Sequence, residues 1–145
     1  RNIGFKERRY IEELRILTKA TALDCIIDEK FERIIYLIRP GDMGFAIGKK
    51  GENIRRMQNV LGKRIEMVEY SEDRDEFIAN ILRPVGISRV KKDPESGLLT
   101  ISLRKRSELG TAIGKKGANI EKARLLVRKF WGEEIGELLV EESDA

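Results

Sequence analysis

The sequence has 145 residues, enough for one ordinary domain or two small ones. Hydrophobic residues make up 41% of it, which permits a packed core and argues against a disordered chain. The longest aliphatic and aromatic run, residues 34–38, is too short to cross a membrane, and the single cysteine, Cys25, cannot form an internal disulfide. We therefore expect a cytoplasmic protein in which Cys25 is buried as a small hydrophobic side chain.

An internal repeat organises the chain. Residues 44–54 read GFAIGKKGENI and residues 110–120 read GTAIGKKGANI, so nine of eleven positions are identical at an offset of 66 residues. The sequence therefore contains two copies of one unit. We predict units at residues 1–70 and 71–145, and the link between them is too short to act as a flexible tether, so we expect them to pack together.

In the first unit, apolar residues at helical spacing predict a first helix, and two apolar runs around a tight turn predict strands. The predicted elements are a helix at residues 10–20, strands at 23–28 and 31–38, a short helix at 41–47, a break at 48–51, a helix at 52–61 and a strand at 64–70.

The second unit repeats this order. The predicted elements are a helix through 77–82 that starts from a cap at Ser71 or Asp73, strands at 85–92 and 98–103, a break at 114–117, a helix at 118–131 and a strand at 135–141. Both units then run helix, strand, strand, helix, GKKG, helix, strand. This order predicts an α+β fold class, with helices covering one face of a three-stranded sheet in each unit.

Positive charge is concentrated around the two GKKG segments. The whole chain has a net charge of only +4. Residues 39–64 carry seven basic and two acidic side chains, a net of +5, and residues 104–129 carry nine basic and two acidic ones, a net of +7. The remainder has a net charge of −8. A segregated positive field of this kind predicts a polyanionic partner.

The GKKG segments have the chemistry of a phosphate-binding loop. Glycines without a Cβ atom let a sugar-phosphate backbone approach the main chain closely. The helix that follows offers backbone N–H groups and the positive end of its dipole, and the lysines add ammonium charges. Four isoleucines flank the glycines and can wall an apolar groove for bases: Ile47, Ile54, Ile113 and Ile120.

A GxxG loop between two helices, with Ile before it and Asn-Ile after it, resembles the KH domain, whose loop clamps about four nucleotides. The order of elements resembles the type II arrangement. The whole chain resembles the KH portion of the NusA family, in particular the short archaeal NusA-like proteins, and Pro40–Ile54 is similar to that family's first-unit motif. The resemblance implies a single-stranded RNA-binding protein that acts in transcription elongation and termination.

The resemblance also implies the residues that bind RNA. They are Ile47, Gly48, Lys49, Lys50, Gly51, Asn53, Ile54 and Arg55 in the first unit, and Ile113, Gly114, Lys115, Lys116, Gly117, Asn119 and Ile120 in the second. At the second loop Ala118 stands where the first has Glu52, and Glu121 stands where it has Arg55. The two sites therefore need not have equal affinity or the same base preference.

The expected partner is single-stranded RNA, and RNA polymerase or the transcription complex is a further candidate. The polymerase-binding and OB-type domains of bacterial NusA have no counterpart within these 145 residues, which weakens the case for direct polymerase contact. The chain is expected to be a monomer without membrane contact. Two other functions stay open: a ribosome-associated or ribosome-assembly KH protein, and a KH-based protein-interaction scaffold. The choice between RNA and single-stranded DNA also stays open.

An enzyme is not favoured. Lys50 and Lys116 stand where a nucleotide-hydrolysing loop needs Ser or Thr, and Ala46 and Ala112 occupy the first glycine position of a dinucleotide fingerprint. The sequence has no histidine and no zinc-ligand spacing. We predict no catalytic residue, metal or cofactor.

Two aromatic side chains near the repeats are expected to pack in the interior. Trp131 follows Phe130 at a helix end, and Phe45 lies opposite Thr111 of the second repeat. For Phe45, contact with a base is the alternative to core packing. The nine aromatic residues do not cluster as a base-stacking platform on a sheet would. Recognition is therefore expected to rest on aliphatic grooves and backbone hydrogen bonds.

Overall fold

The computed structural model describes residues 2–141 and divides the chain into two compact units, with the boundary between Ser71 and Glu72. The elements of the first unit are α1 (Phe5–Thr18), β1 (Ala22–Asp28), β2 (Arg33–Ile38), α2 (Met43–Ile47), a 3-10 turn (Lys49–Gly51), α3 (Glu52–Leu61) and β3 (Arg64–Glu69). Those of the second are α4 (Arg74–Leu82), β4 (Ile87–Lys92), β5 (Leu99–Leu103), a 3-10 turn (Arg106–Glu108), α5 (Leu109–Ile113), a 3-10 turn (Lys115–Gly117), α6 (Ala118–Trp131) and β6 (Ile135–Val140). The predicted α+β class is confirmed.

Element boundaries depart from the prediction where local hydrogen bonds decide them. β2 begins at Arg33, two residues later than predicted, because residues 29–32 form the turn and Glu32 takes a left-handed conformation with φ 50°. β4 also begins two residues late, at Ile87. At α4 the carboxylate of Asp73 accepts a hydrogen bond of 3.1 Å from the N–H of Asp75, so Asp73 is the cap and Ser71 is not.

Each unit contains one mixed three-stranded sheet, in the order β1-β2-β3 or β4-β5-β6. The first two strands pair antiparallel, and the second pairs with the third in parallel. Parallel neighbours cannot be joined by a tight hairpin and need a crossover. In each unit that crossover carries the two helices and the GKKG segment between them, so the sheet fixes both ends of the segment.

The core of the first unit lies between its helices and one face of the sheet. Its members alternate along β2 and continue onto the helices: Leu14, Ala20, Ala22, Cys25, Ile34, Tyr36, Ile38, Ala46, Met57 and Ile65. Cys25 is fully buried, as predicted. The hydroxyl of Tyr36 donates to the carbonyl of Tyr10 at 2.8 Å, and burial raises the pKa of this phenol. The pairing satisfies a polar group that would otherwise be costly to bury.

Aromatic packing holds α4 against α6 in the second unit. The ring of Phe77, fully buried, lies 5.1 Å from the ring of Trp131 and 6.0 Å from that of Phe130, measured between centroids. Trp131 is thus a packing residue, as predicted. Offset and edge-to-face pairs of this kind add stability beyond the area that they bury.

Each unit also has a charged cluster near its sheet. The central charge of the cluster is positive in the first unit and negative in the second. In the first unit the guanidinium of Arg33, whose side chain is only 1% exposed, meets Asp28 at 2.7 Å and Glu66 at 3.3 Å. In the second, the carboxylate of Glu133 meets Arg74 and Lys92, each at 3.1 Å. The buried charge of Arg33 and the half-buried charge of Glu133 are both tolerated because they are paired.

Candidate nucleic-acid interface

The two GKKG segments adopt one backbone conformation. Gly48 and Gly114 have φ/ψ of 76°/169° and 80°/168°. The second lysine of each segment is left-handed, with φ 55° at Lys50 and 57° at Lys116. Left-handed lysine is costly, so a strained segment that recurs in both units is a candidate for function.

The first glycine of each segment is required for steric reasons. Its φ/ψ region is open essentially to glycine alone. A Cβ atom on Gly48 would lie 2.9 Å from the backbone nitrogen of Asn53, and one on Gly114 would lie 2.7 Å from that of Asn119. The loop therefore turns back so tightly onto the next helix that no side chain fits at this position.

An asparagine closes each loop. The side-chain amide of Asn53 donates to the carbonyl of Phe45 at 2.7 Å, and that of Asn119 donates to Thr111 at 3.2 Å. Each bond ties the helix after the loop to the helix before it. These two predicted site residues therefore position the loop, whatever else they contact.

The backbone amides are less available than predicted. The N–H of Gly51 donates to the carbonyl of Gly48 at 3.1 Å, and that of Glu52 donates to Lys49. The second unit repeats both bonds. Within the described part of the chain, no side chain caps α3 or α6. Since the turn uses its own first amides, the lysine side chains carry more of the attraction for a phosphate.

The charged side chains of the segments face solvent. Lys49, Lys50, Lys115 and Lys116 are all exposed. In the second unit an exposed basic run, residues 104–106, precedes α5, whereas the corresponding residues 38–40 of the first unit contain a single arginine. Both units thus offer ammonium groups at the loop, and the second adds further cations before it.

The flanking isoleucines divide into exposed and interior residues. Ile47 and Ile113, just before the loops, are 37% and 39% exposed. Ile54 is half-buried against the core of its unit, and Ile120 is only 6% exposed. The exposed side chains of Ile47 and Ile113 can therefore contact a base, whereas the side chain of Ile120 packs in the interior.

Arg55 and Glu121 make the two loops chemically different, as the sequence predicted. The guanidinium of Arg55 folds back and donates to the carbonyl of Lys50 at 2.6 Å. At the same position of the second unit, Glu121 instead pairs with Arg124 at 3.3 Å. Arg55 therefore braces the first loop, and the second loop has no such brace from this position.

An acid just before the first crossover helix is a feature that sequence reasoning missed. The carboxylate of Asp42 accepts from the N–H of Thr21 at 2.9 Å and pairs with Arg39 at 3.2 Å. The bond from Thr21, and secondarily Arg39, lowers the pKa of Asp42 below its usual range. Glu108 accepts from Gly86 in the second unit at 3.4 Å. The sequence does contain a signal for this contact, because Asp42 and Glu108 occupy the same position in the two repeats.

Contrary to the prediction, Phe45 does not pack in the core. Its side chain is 57% exposed, while the neighbouring Ala46 is fully buried. The helix α2 has only five residues, and Ala46 occupies the face that meets the core. Phe45 consequently points away from that core.

A cleft of about 640 Å³ lies at the opposite end of β2 from the loop. Three acids and three bases line it: Asp28, Glu29, Glu32, Arg33, Lys63 and Arg64. Because Arg33 is already paired with Asp28 and Glu66, the cleft has no surplus of positive charge for a phosphate. The loops, and not this cleft, have the chemistry of an anion site. Within residues 2–141 we find no cluster of metal-ligating side chains and no helix long and apolar enough to cross a membrane.

The KH-domain sequence profile matches residues 7–92, which include most of the first unit and its GKKG segment. The chain is 31% identical to the probable transcription termination protein NusA of Halococcus morrhuae, over 83% of this chain and 86% of that protein. The chain belongs to the family of NusA-like KH-domain proteins.

Other relatives of this NusA-like chain carry the same name. It is 38% identical to the protein of Methanococcus vannielii and 33% identical to that of Methanocaldococcus jannaschii, over 74% and 88% of this chain. The matches span 61% and 64% of those two proteins, so the chain spans less than two thirds of their length. The crystal structure of APE1850 is 34% identical and superposes with a TM-score of 0.79, over 96% of this chain and all of that one.

Proposed function

We propose that this protein binds single-stranded RNA in transcription elongation or termination and grips the RNA backbone with its two GKKG loops. The observation that carries the proposal is the duplicated loop. Two strained segments of the same conformation each present two exposed lysines, Lys49 and Lys50 or Lys115 and Lys116, within a basic region. A single GxxG turn could be a plain helix connection, but two with the same strain and the same charge support a common ligand.

The chemistry of the loop favours a single strand. Exposed isoleucines beside the lysines, Ile47 and Ile113, offer apolar contact to bases, while the ammonium groups attract phosphates. Unpaired bases are free to make such contacts, and KH loops bind about four nucleotides each. The role in transcription is supported by the relatives, each of which is named a probable transcription termination protein.

Charge reversal in the first loop tests the proposal most directly. The variant K49D/K50D should weaken binding of a twelve-nucleotide single-stranded RNA by roughly tenfold or more, since two phosphate partners become repulsive. Aspartate tolerates the left-handed conformation of Lys50, so the fold should survive. The control K6D/R8D makes the same change of charge on exposed positions of α1 and should have little effect. Normal folding with unchanged affinity in K49D/K50D would remove the first loop from the site.

Salt dependence tests the phosphate contacts independently. With about four to six contacts, the log–log slope of affinity against salt should be roughly −3 to −4, and K115D/K116D should make it shallower by about 1.4. A slope near zero would favour the scaffold alternative. Both slopes can be measured by fluorescence anisotropy with labelled RNA.

The length of the bound RNA tests whether both loops act together. Because the two loops lie on one chain, binding of the second is intramolecular and should add on the order of a hundredfold to affinity. Affinity should fall sharply for RNAs shorter than about eight nucleotides. Equal binding of four and twelve nucleotides would mean that only one loop is engaged. Single-stranded DNA of the same sequences measures any preference for RNA.

Capture from cell extract separates transcription from the ribosomal alternative. Tagged protein should recover RNA polymerase subunits together with nascent RNA, and ribosomal proteins only at background. The K49D/K50D/K115D/K116D variant serves as the control for RNA-mediated capture. Specific recovery of ribosomal particles in place of polymerase would assign the protein to ribosome function.

A further inference from the structure

An exposed aromatic ring lies just before the first loop. Phe45 is 57% exposed, more than any other large hydrophobic side chain outside α1 among the described residues, where Phe5 and Ile16 exceed it. Leaving such a ring in water forfeits the free energy of its burial. Contact of the Phe45 ring with a binding partner would recover that free energy.

The ring is tied to the loop through the backbone. The carbonyl of Phe45 accepts the 2.7 Å hydrogen bond from Asn53, the residue that also packs against Gly48. Ile47, which is 37% exposed, lies two residues further on, and Lys49 follows the first glycine of the loop. Phe45 lies only four residues before Lys49, so an RNA backbone bound at the lysines would place its bases close to the ring.

The second unit lacks this feature although its backbone is the same. Thr111 occupies the equivalent position, is exposed, and accepts the equivalent bond from Asn119 at 3.2 Å. The exposed isoleucine is common to both loops, at 37% and 39%. The aromatic ring is thus a property of the first unit alone, added to a loop that does not need it for its conformation.

We propose that Phe45 stacks on one base of the RNA held by the first loop, which makes the first unit dependent on a base and leaves the second mainly a backbone clamp. This inference rests on the proposed function. The net charge of +5 around the ring, over residues 39–64, favours a nucleic acid over an apolar protein segment as its partner. Every base has a π-face, so the contact adds affinity with little sequence preference.

Exchanging the two residues provides a matched pair of variants. F45T should weaken binding of a twelve-nucleotide RNA by roughly five- to a hundredfold, the range for loss of one base stack, and F45Y should keep most of the affinity. T111F should strengthen binding. The loop accepts threonine in the second unit with the same backbone, so F45T should fold, and circular dichroism melting checks this.

A base analogue identifies stacking itself. In RNAs carrying 2-aminopurine at successive positions, one position should lose fluorescence on binding to the wild type and to F45Y, but not to F45T. An abasic nucleotide at that position should cost the wild type about the same factor as F45T does, and should cost F45T nothing more. If replacing Phe45 by Thr weakened binding by the same factor on the intact RNA and on the abasic RNA, stacking would be overturned.

The outcomes separate this inference from the proposed function. If K49D/K50D weakens RNA binding while F45T leaves it and the 2-aminopurine signal unchanged, the stacking role is wrong and the loop remains an RNA site. If the wild type does not bind RNA at all, the proposed function fails first. If F45T instead abolishes polymerase capture and leaves RNA affinity intact, the ring contacts a protein and the proposal is overturned.

Discussion

The two units share a loop conformation and a sheet topology, and they differ in the lengths of the helices that surround the loop. Gly48 and Gly114 agree within a few degrees in both backbone angles. By contrast, the first helix has 14 residues in the first unit and 9 in the second, whereas the helix after the loop has 10 and 14. The backbone conformation of the loop is therefore insensitive to the lengths of the helices around it.

The charged clusters show the same contrast between the units. A buried cation with acidic partners stands beside one sheet, and a half-buried anion with basic partners stands beside the other. Such clusters must be paired but have no fixed polarity, so each unit has solved the problem differently. Six substitutions test how far the units are alike.

Removing the buried cation should have the largest effect. Arg33→Ala leaves Asp28 and Glu66 without this partner and should destabilise the first unit by about 3–5 kcal/mol. Hydrogen exchange should show a loss of amide protection in the first unit only. Tyrosine fluorescence reports unfolding of the first unit, which contains all three tyrosines, and Trp131 fluorescence reports unfolding of the second. Loss of protection in both units at once would show that they unfold together.

Asparagine at the two glycines of the second loop should have unequal effects. Gly114→Asn combines a glycine-only conformation with a 2.7 Å clash and should cost roughly 2–4 kcal/mol. Gly117 is left-handed with open space around its Cβ position, so Gly117→Asn should cost well under about 1 kcal/mol. Urea unfolding followed by Trp131 fluorescence compares them. Equal costs would contradict the steric account of the loop.

The anion of the second unit should give a pH-dependent effect. Partial burial tends to raise the pKa of Glu133, but hydrogen bonds from Lys92 and Arg74 outweigh it and lower the pKa below the ordinary 4.5. Glu133→Gln should cost about 1–2 kcal/mol at pH 7. Since the native pKa is depressed, this contribution is complete above pH 4.5 and disappears as the pH falls through the native value. A deficit that persisted at acid pH would mean that charge is not its cause.

Relief of strain at the loops should give the smallest effect, equal in the two units. Lys50→Asn and Lys116→Asn place a residue that tolerates the left-handed region, and each should stabilise its unit by roughly 0.5 kcal/mol. The same changes should weaken RNA binding, because each removes one ammonium group. Hydrogen exchange gives the free energy of unfolding of each unit separately. If either substitution lowered it, the inference that the lysine backbone is strained would be wrong.

The repeat, the order of elements and the position of both loops could be predicted from the amino-acid sequence. These follow from local signals: apolar periodicity sets helices and strands, and glycines at fixed positions set the turn. The identity of nine positions out of eleven made the second copy visible without any knowledge of the fold.

Which side chains beside the loops are exposed to a ligand could not be predicted in this way, because exposure depends on the packing of the folded chain. Phe45 and Ala46 lie in a helix of five residues, too short for periodicity to tell its buried face from its exposed one. Ile120 and Ile54 occupy the same position of the repeat, yet one is almost fully buried and the other half-exposed. Exposure depends on which neighbouring element covers a residue, and that contact joins segments far apart in the chain.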